Sequence, residues 1–183
     1  MKKIEENFFS RKTEIVAKEL LGKILVRKIN GKELRARIVE TEAYYGARDP
    51  ASRAFKKSKM ARPMFAKPGT LFIYNVHKYW MFNIVTEKEG KAGAVLIRAL
   101  EPLNFKANLS GPGKLTLALN ISKNFNEKHL SEIEDIMIMD DKKGVPIKIA
   151  CSHRIGVRRD LRKKLRFFIK FNKCVSRDSN PGH

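Results

Sequence analysis

Asn30-Gly31 stands between two apolar-rich runs, Ile24–Ile29 and Leu34–Tyr44. An Asn-Gly pair in that setting favours a two-residue turn with positive φ at both positions, which closes an antiparallel hairpin. Further runs with strand character are Leu71–Val76, Trp80–Thr86, Ala94–Leu100, Ile136–Met139, Ile147–Ser152 and Leu165–Phe171. Helices are few. Ser10 is expected to cap a helix running through Leu21, with Gly22 stopping it, and Pro112 suits the first turn of a helix to about Leu119. Many strands, few helices and hairpin connections predict an α+β fold with a curved, mainly antiparallel sheet flanked by helices. A chain of 183 residues, without repeat or low-complexity linker, fits a single domain spanning residues 1–183.

No uninterrupted apolar run exceeds four residues, so no segment has the pattern of a membrane span. Met1-Lys2-Lys3-Ile4-Glu5-Glu6 lacks the apolar stretch of a secretory signal, which predicts a protein of the cytosol or the chromosome. Cys151 and Cys174 lie 23 positions apart, match no metal spacing, and are expected to be buried free thiols rather than a disulfide. With four scattered histidines they supply no zinc or iron–sulfur site.

Charge narrows the partner. Lys+Arg number 39 against 19 Asp+Glu, a formal net charge of +20. That excess implies a polyanionic partner, with nucleic acid first. Adaptation to heat raises Glu and Lys together and does not account for a two-to-one imbalance. The cations are also clustered. Residues 48–67 carry Arg48, Arg53, Lys56, Lys57, Lys59, Arg62 and Lys67 against Asp49 alone. Residues 154–170 carry Arg154, Arg158, Arg159, Arg162, Lys163, Lys164, Arg166 and Lys170 against Asp160 alone. Six acids fall between Glu127 and Asp141, so one basic and one acidic face are expected.

Three segments carry candidate chemistry. In Arg35–Tyr44, strand alternation puts Leu34, Ala36, Ile38, Glu40 and Glu42 on one face. Either the strand reaches solvent at Glu40, or two carboxylates sit at the edge of the core, where desolvation and nearby arginines tune them. Alternation alone does not say which glutamate would act as a base. Residues 64–83 form two aromatic-rich strands around a short polar turn near Asn75–Lys78, a pattern that suits base stacking and phosphate contact as well as a core hairpin. Gly111-Pro112-Gly113-Lys114-Leu115 is a tight turn into a helix, with Lys114 a candidate phosphate ligand.

Taken together, these segments resemble the alkyladenine (3-methyladenine) DNA glycosylase family. The matching stretches are Leu20-Leu21-Gly22-Lys23-Ile24-Leu25-Val26-Arg27, Ala36-Arg37-Ile38-Val39-Glu40-Thr41-Glu42-Ala43-Tyr44 and Asp49-Pro50-Ala51-Ser52. Met64-Phe65, Lys67-Pro68-Gly69-Thr70-Leu71 and Leu96-Ile97-Arg98-Ala99-Leu100-Glu101-Pro102-Leu103 follow, then Gly111-Pro112-Gly113-Lys114-Leu115, Arg154-Ile155-Gly156-Val157 and Leu165-Arg166-Phe167. They occur in the expected order over residues 12–172.

The resemblance implies a monofunctional base-excision repair hydrolase that flips damaged purines out of double-stranded DNA. It implies a monomer that needs no metal or organic cofactor and leaves an abasic site. Glu42, not Glu40, becomes the general base; Tyr44 and Tyr74 become aromatic walls around the flipped base. Asn83 and Arg98 line or brace the site, and Val157 offers a backbone contact to the base. A protruding hairpin should enter the minor groove, with a wedge residue filling the vacated stack. This chain departs from the family at three places. Arg53 stands where histidine is usual, the segment between Leu103 and Asn108 is abbreviated, and the hairpin between Tyr74 and Asn83 is one residue short. Matching the hairpin from its left selects His77 as the wedge and from its right Val76, with Tyr79 the next candidate. The competing readings are a non-catalytic basic nucleic-acid binder and a glycosylase–lyase acting through a lysine Schiff base.

Overall fold

The computed structural model describes residues 1–56, 58–141 and 146–176. In chain order its elements are β1 (Lys2–Lys3), α1 (Glu6–Phe9), α2 (Thr13–Glu19), β2 (Ile24–Ile29) and β3 (Lys32–Tyr44). Two 3-10 segments, Arg53–Lys56 and Lys59–Phe65, precede β4 (Leu71–Val76), β5 (Tyr79–Val85) and β6 (Ala94–Pro102). Then come α3 (Pro112–Ala118), a 3-10 turn at Lys123–Phe125, β7 (Ile136–Asp140), β8 (Ile149–Ser152) and β9 (Arg166–Ile169). The strands form one nine-stranded sheet in the order β1-β7-β2-β3-β6-β5-β4, with β9 joining β3 to β8. All its pairings are antiparallel, which makes the fold α+β.

The expected hairpin is present. Ile29 pairs with Lys32, and between them Asn30 and Gly31 take φ of 49° and 73°. This is the left-handed pair that a two-residue turn of this type requires.

β3 organises the rest because it is long enough to serve three neighbours. Its first half, Lys32–Arg37, pairs with β2, and Glu40–Glu42 pairs with β9. On its other edge β6 runs alongside from Ala36 to Tyr44. Glu40, Thr41 and Glu42 are therefore flanked by strands on both sides, and all three are fully buried. The strand does not reach solvent at Glu40.

The alternation expected from Leu34 through Glu42 is broken. Register shifts fall between Ile38 and Glu40 and between Glu40 and Thr41. Ile38 and Val39, although adjacent, both join the main hydrophobic cluster, whereas the Thr41 hydroxyl donates to Ala17 O on α2. The extra residue of such an irregularity lets consecutive side chains share one face and reverses the sense of alternation beyond it. Glu40 and Glu42 are thereby turned away from the cluster that holds Ile38.

Two hydrophobic clusters follow. The larger packs Val16 of α2, Leu115 of α3 and the residues that close those helices, Leu20 and Leu119, against Ile73, Phe82, Ile97 and Phe167 of the sheet. The smaller lies under the 3-10 segments, where Ala54, Ala61 and Met64 meet Phe72, Val85, Ala92 and Ala94, with Tyr44 and Tyr74 packed against it.

Three expectations are corrected. The helix from Ser10 to Leu21 is two short helices, and Ser10 closes α1 rather than opening α2. Its hydroxyl donates to Asn7 O, and the first turn of α2 is capped from afar, with Glu87 Oε1 accepting from Thr13 N at 3.0 Å and from Thr13 Oγ1 at 3.1 Å. A carboxylate 74 residues away can do the work of a local cap. The cysteines are free but not buried: Cys151 is exposed and Cys174 partly so. Cys151 sits on the outward face of β8, which pairs with β9 among the described residues. Finally, Arg154 and Arg166, counted among the cations of a basic face, are interior residues paired with carboxylates. Among the described residues no helix is long and apolar enough to cross a membrane.

Candidate active site

Strand register builds the site. Arg166, Glu42, Leu96, Asn83 and Phe72 lie opposite one another in succession across β9, β3, β6, β5 and β4. Directly paired residues share a face, so this row places an acid, an amide and an aromatic ring on the same surface. Tyr44 extends it along β3 and Tyr74 along β4.

Glu42 is held on both carboxylate oxygens. Oε2 accepts from the Tyr44 hydroxyl at 2.6 Å, and Oε1 accepts from Ile155 N at 2.8 Å. Arg98 Nη1 lies 3.4 Å from Oε1. Burial raises the Glu42 pKa above the ordinary carboxylate value of 4.5, although Arg98, Tyr44 and the Ile155 N–H all pull it down. Glu40, equally buried, is pushed the other way. Its desolvation is outweighed by Ser176, Arg166 and Arg98, so its carboxyl lies below the ordinary value. Two neighbouring glutamates thus have separated proton affinities, with the higher at Glu42.

The tyrosines are backed by arginines. The Arg154 guanidinium lies 4.6 Å from the Tyr44 ring centroid, and that of Arg53 lies 4.6 Å from the Tyr74 ring. Arg154 has no exposed side-chain surface. It grips Asp49 through two 2.7 Å bonds, meets Asp160 Oδ1 at 2.6 Å and donates to Ala43 O. Asp49 in turn accepts from Tyr45 N and Ala51 N. The loop that presents Ile155 to Glu42 is thereby tied to the Asp49 turn and to the back of Tyr44. Burial raises the pKa of both tyrosines, and the Glu42 charge adds to the rise at each, so both remain neutral phenols.

The remaining expected residues divide. Asn83, buried, spends its Nδ2 on Phe72 O at 3.0 Å and Met81 O at 3.2 Å, bracing the β4–β5 hairpin. Val157 is half-buried, two residues beyond Ile155. Arg53 is exposed apart from its contact with Tyr74. Val76 and Tyr79 close the β4–β5 ladder, leaving His77-Lys78 as the turn, with His77 at φ 52°. Tyr79 packs against Gly113, where an added Cβ would lie 2.6 Å from the ring's Cγ. Lys114 is exposed beside that contact. Hairpin tip and Gly111–Lys114 turn therefore form one continuous surface.

Sequence reading missed the support residues: Arg154 with Asp49 and Asp160, the Ile155 N–H, and Arg166 with Ser176. The two arginines stand in a run of cations that reads as surface, and their buried carboxylate partners Asp49 and Glu40 lie 105 and 126 residues away. Among the described residues, no group of three or more His, Cys, Asp or Glu is placed to hold a metal ion.

Comparison with known proteins decides the family. The model for the methylpurine-DNA glycosylase (MPG) family matches residues 7–173. The chain belongs to the methylpurine-DNA glycosylase family. It is similar to a protein of Aeropyrum pernix provisionally named 3-methyladenine DNA glycosylase, 38% identical over 180 residues, covering 95% of this chain and 93% of that one. A similarly named protein of Clostridium tetani is 38% identical over 202 positions, covering 96% and 99% of the two chains. One from Clostridium botulinum (strain Loch Maree) is 36% identical over 203 positions, covering 95% and 98%. This glycosylase is accordingly a hydrolase of N-glycosyl bonds in DNA.

Proposed function

We propose that this glycosylase releases alkylated or deaminated purines, of the 3-methyladenine, 7-methylguanine, hypoxanthine and ethenoadenine class, from duplex DNA, with Glu42 activating the attacking water. The observation that carries the reading is the buried Glu42 carboxylate, held by Tyr44, Ile155 and Arg98 with its proton affinity raised. A base inside a duplex is out of reach of such a group, so the nucleotide must be extruded. The exposed β4–β5 tip is suited to hold the gap, with His77 or Val76 as wedge and Tyr79 beside it. Lys114 and the exposed Arg158, Arg159 and Arg162 supply phosphate contacts.

The extruded purine stacks between Tyr44 and Tyr74, with the Val157 backbone at its edge. As the bond between C1′ and the purine nitrogen breaks, its electron pair leaves with the base and positive charge develops on the sugar. Water oxygen bonds to C1′ while its proton passes to Glu42, whose negative charge also stabilises the oxocarbenium ion. A cationic alkylpurine leaves as a neutral molecule and demands little more. A neutral purine leaves as an anion or takes up a proton.

The test is release of free base from duplexes that each carry one damaged purine, with borohydride added in parallel. Free base plus an intact abasic strand, without a trapped enzyme–DNA adduct, is expected. A trapped adduct would assign the lyase route, and no release from any lesion duplex would contradict the reading.

A further inference from the structure

Glu40 is a second fully buried carboxylate, and the hydrolysis described above does not use it. Its Oε1 accepts from Arg98 Nε at 3.0 Å and Arg166 Nε at 2.7 Å. Ser176 closes the other side, its N–H donating to Oε2 at 2.7 Å and its hydroxyl lying 2.6 Å from Oε2 and 2.7 Å from Oε1. Arg166 also donates to Ser152 Oγ and to Ser176 O, so the segment after β9 is strapped over the layer. Ser176 lies beyond residue 173, where the family match ends.

We propose that Glu40, clamped by Arg166 and Ser176, is a positioning residue that holds Arg98 at a distance from Glu42, sharing one guanidinium between two carboxylates. The proposal rests on Glu42 being the base. Arg98 spends its Nε on Glu40 and presents only Nη1 to Glu42, at 3.4 Å against 3.0 Å for the Glu40 bond. An arginine free of Glu40 would close on Glu42 as a bidentate pair, the geometry that a guanidinium and a carboxylate prefer. Such a pair would occupy the oxygens needed for water and would lower the basicity of Glu42.

Burying two carboxylates side by side is costly unless each is compensated, and removing one partner leaves the other charge exposed to the interior. Here Arg98 and Arg166 match Glu40 and Glu42 in charge, and the Ser176 donors complete Glu40. The other groups around Glu42 are the Tyr44 hydroxyl on its own strand, Tyr74 on β4, the Ile155 N–H, and Arg154 behind Tyr44. Glu40 itself raises the Glu42 pKa and Arg98 lowers it, so the balance between them sets the pH at which Glu42 becomes a base.

The experiment is the pH dependence of single-turnover base release by the full chain, on a lesion duplex that the wild type cleaves. Glu40→Gln should move the acid limb down by about one pH unit, because a like charge is gone and Arg98 turns to Glu42. It should also lower the plateau. Ser176→Ala should move the limb the opposite way by a few tenths of a unit, because a less satisfied Glu40 draws Arg98 further from Glu42. A residue that serves only the fold would alter melting temperature and leave both midpoints in place, which would overturn the proposal. So would an upward shift in Glu40→Gln. If Glu40→Gln fails to fold, Ser176→Ala decides alone, and an unmoved midpoint overturns the proposal. Glu42→Gln separates the two claims. Loss of release there with unmoved midpoints in the other variants defeats only the role of Glu40, whereas retained release defeats the assignment of the base.

Discussion

The Tyr44 hydroxyl donates a 2.6 Å hydrogen bond to Glu42 Oε2, two residues earlier on the same strand. Strand alternation makes this contact possible, since i and i+2 share a face. The donor stabilises the ionised carboxylate, and its loss should raise the Glu42 pKa further. Tyr44→Phe should therefore move the acid limb of base release to higher pH by about one unit. Below the limb this is roughly a tenfold slower reaction at a given pH. Single-turnover rates across the limb measure it. An unmoved limb would detach Tyr44 from the ionisation of Glu42.

Arg154 joins Asp49, Asp160 and the carbonyl of Ala43 with no side-chain exposure. Arg154→Met leaves the Asp49 carboxylate buried and uncompensated, which costs about 3–5 kcal/mol. For a chain of this length that corresponds to a drop in melting temperature on the order of 10 °C. Thermal unfolding measures it, and a change within a degree or two would show that Asp49 finds another partner.

Much of this architecture is legible in the chain, and the parts that are not have a common cause. Asn30-Gly31 names its own turn because the conformation depends on those two residues alone. The strands around it follow from alternation. What alternation misses is the irregularity near Val39, where one extra residue in β3 changes which face Glu40 occupies. Ser10 misleads because a remote carboxylate, Glu87, does the capping. Arg154 and Arg166 look like surface cations until their acids are located in space. Local chemistry is readable from neighbours in sequence, whereas the pairs that bury Arg154 with Asp49 and Arg166 with Glu40 are long-range.

Arg53 stacks on Tyr74, and its guanidinium offers hydrogen-bond donors and no acceptor. A fixed cation beside one wall should favour bases that offer hydrogen-bond acceptors over bases that are already cationic. Arg53→His should shift the ratio of release toward 3-methyladenine and 7-methylguanine relative to hypoxanthine and ethenoadenine, by roughly tenfold, a differential of about 1.4 kcal/mol. Single-turnover release on both kinds of lesion measures this. An equal fall on all four, with a shallower salt dependence of binding, would place Arg53 on a phosphate instead.

The hairpin tip should matter most where extrusion is hardest. His77→Ala and Val76→Ala are expected to slow release from a lesion in a stable pair by roughly tenfold while changing release from a mismatched one much less. Gly113→Ala should act the same way without touching the tip, because its Cβ would collide with the Tyr79 ring and displace the hairpin. Unchanged rates on every duplex would move the wedge elsewhere.

The most direct test concerns Glu42 itself. Its folded-state pKa is raised, so its contribution to stability is present at low pH and is lost as pH rises through that value. Above that pH the ionised side chain is a burden on the fold, and there Glu42→Gln should have an equal or higher melting temperature. It should also bind a lesion duplex as tightly as the wild type. Single-turnover release of the damaged base from that duplex should nevertheless fall by several orders of magnitude, since an amide takes no proton from water. Release within tenfold of the wild-type rate would contradict the account.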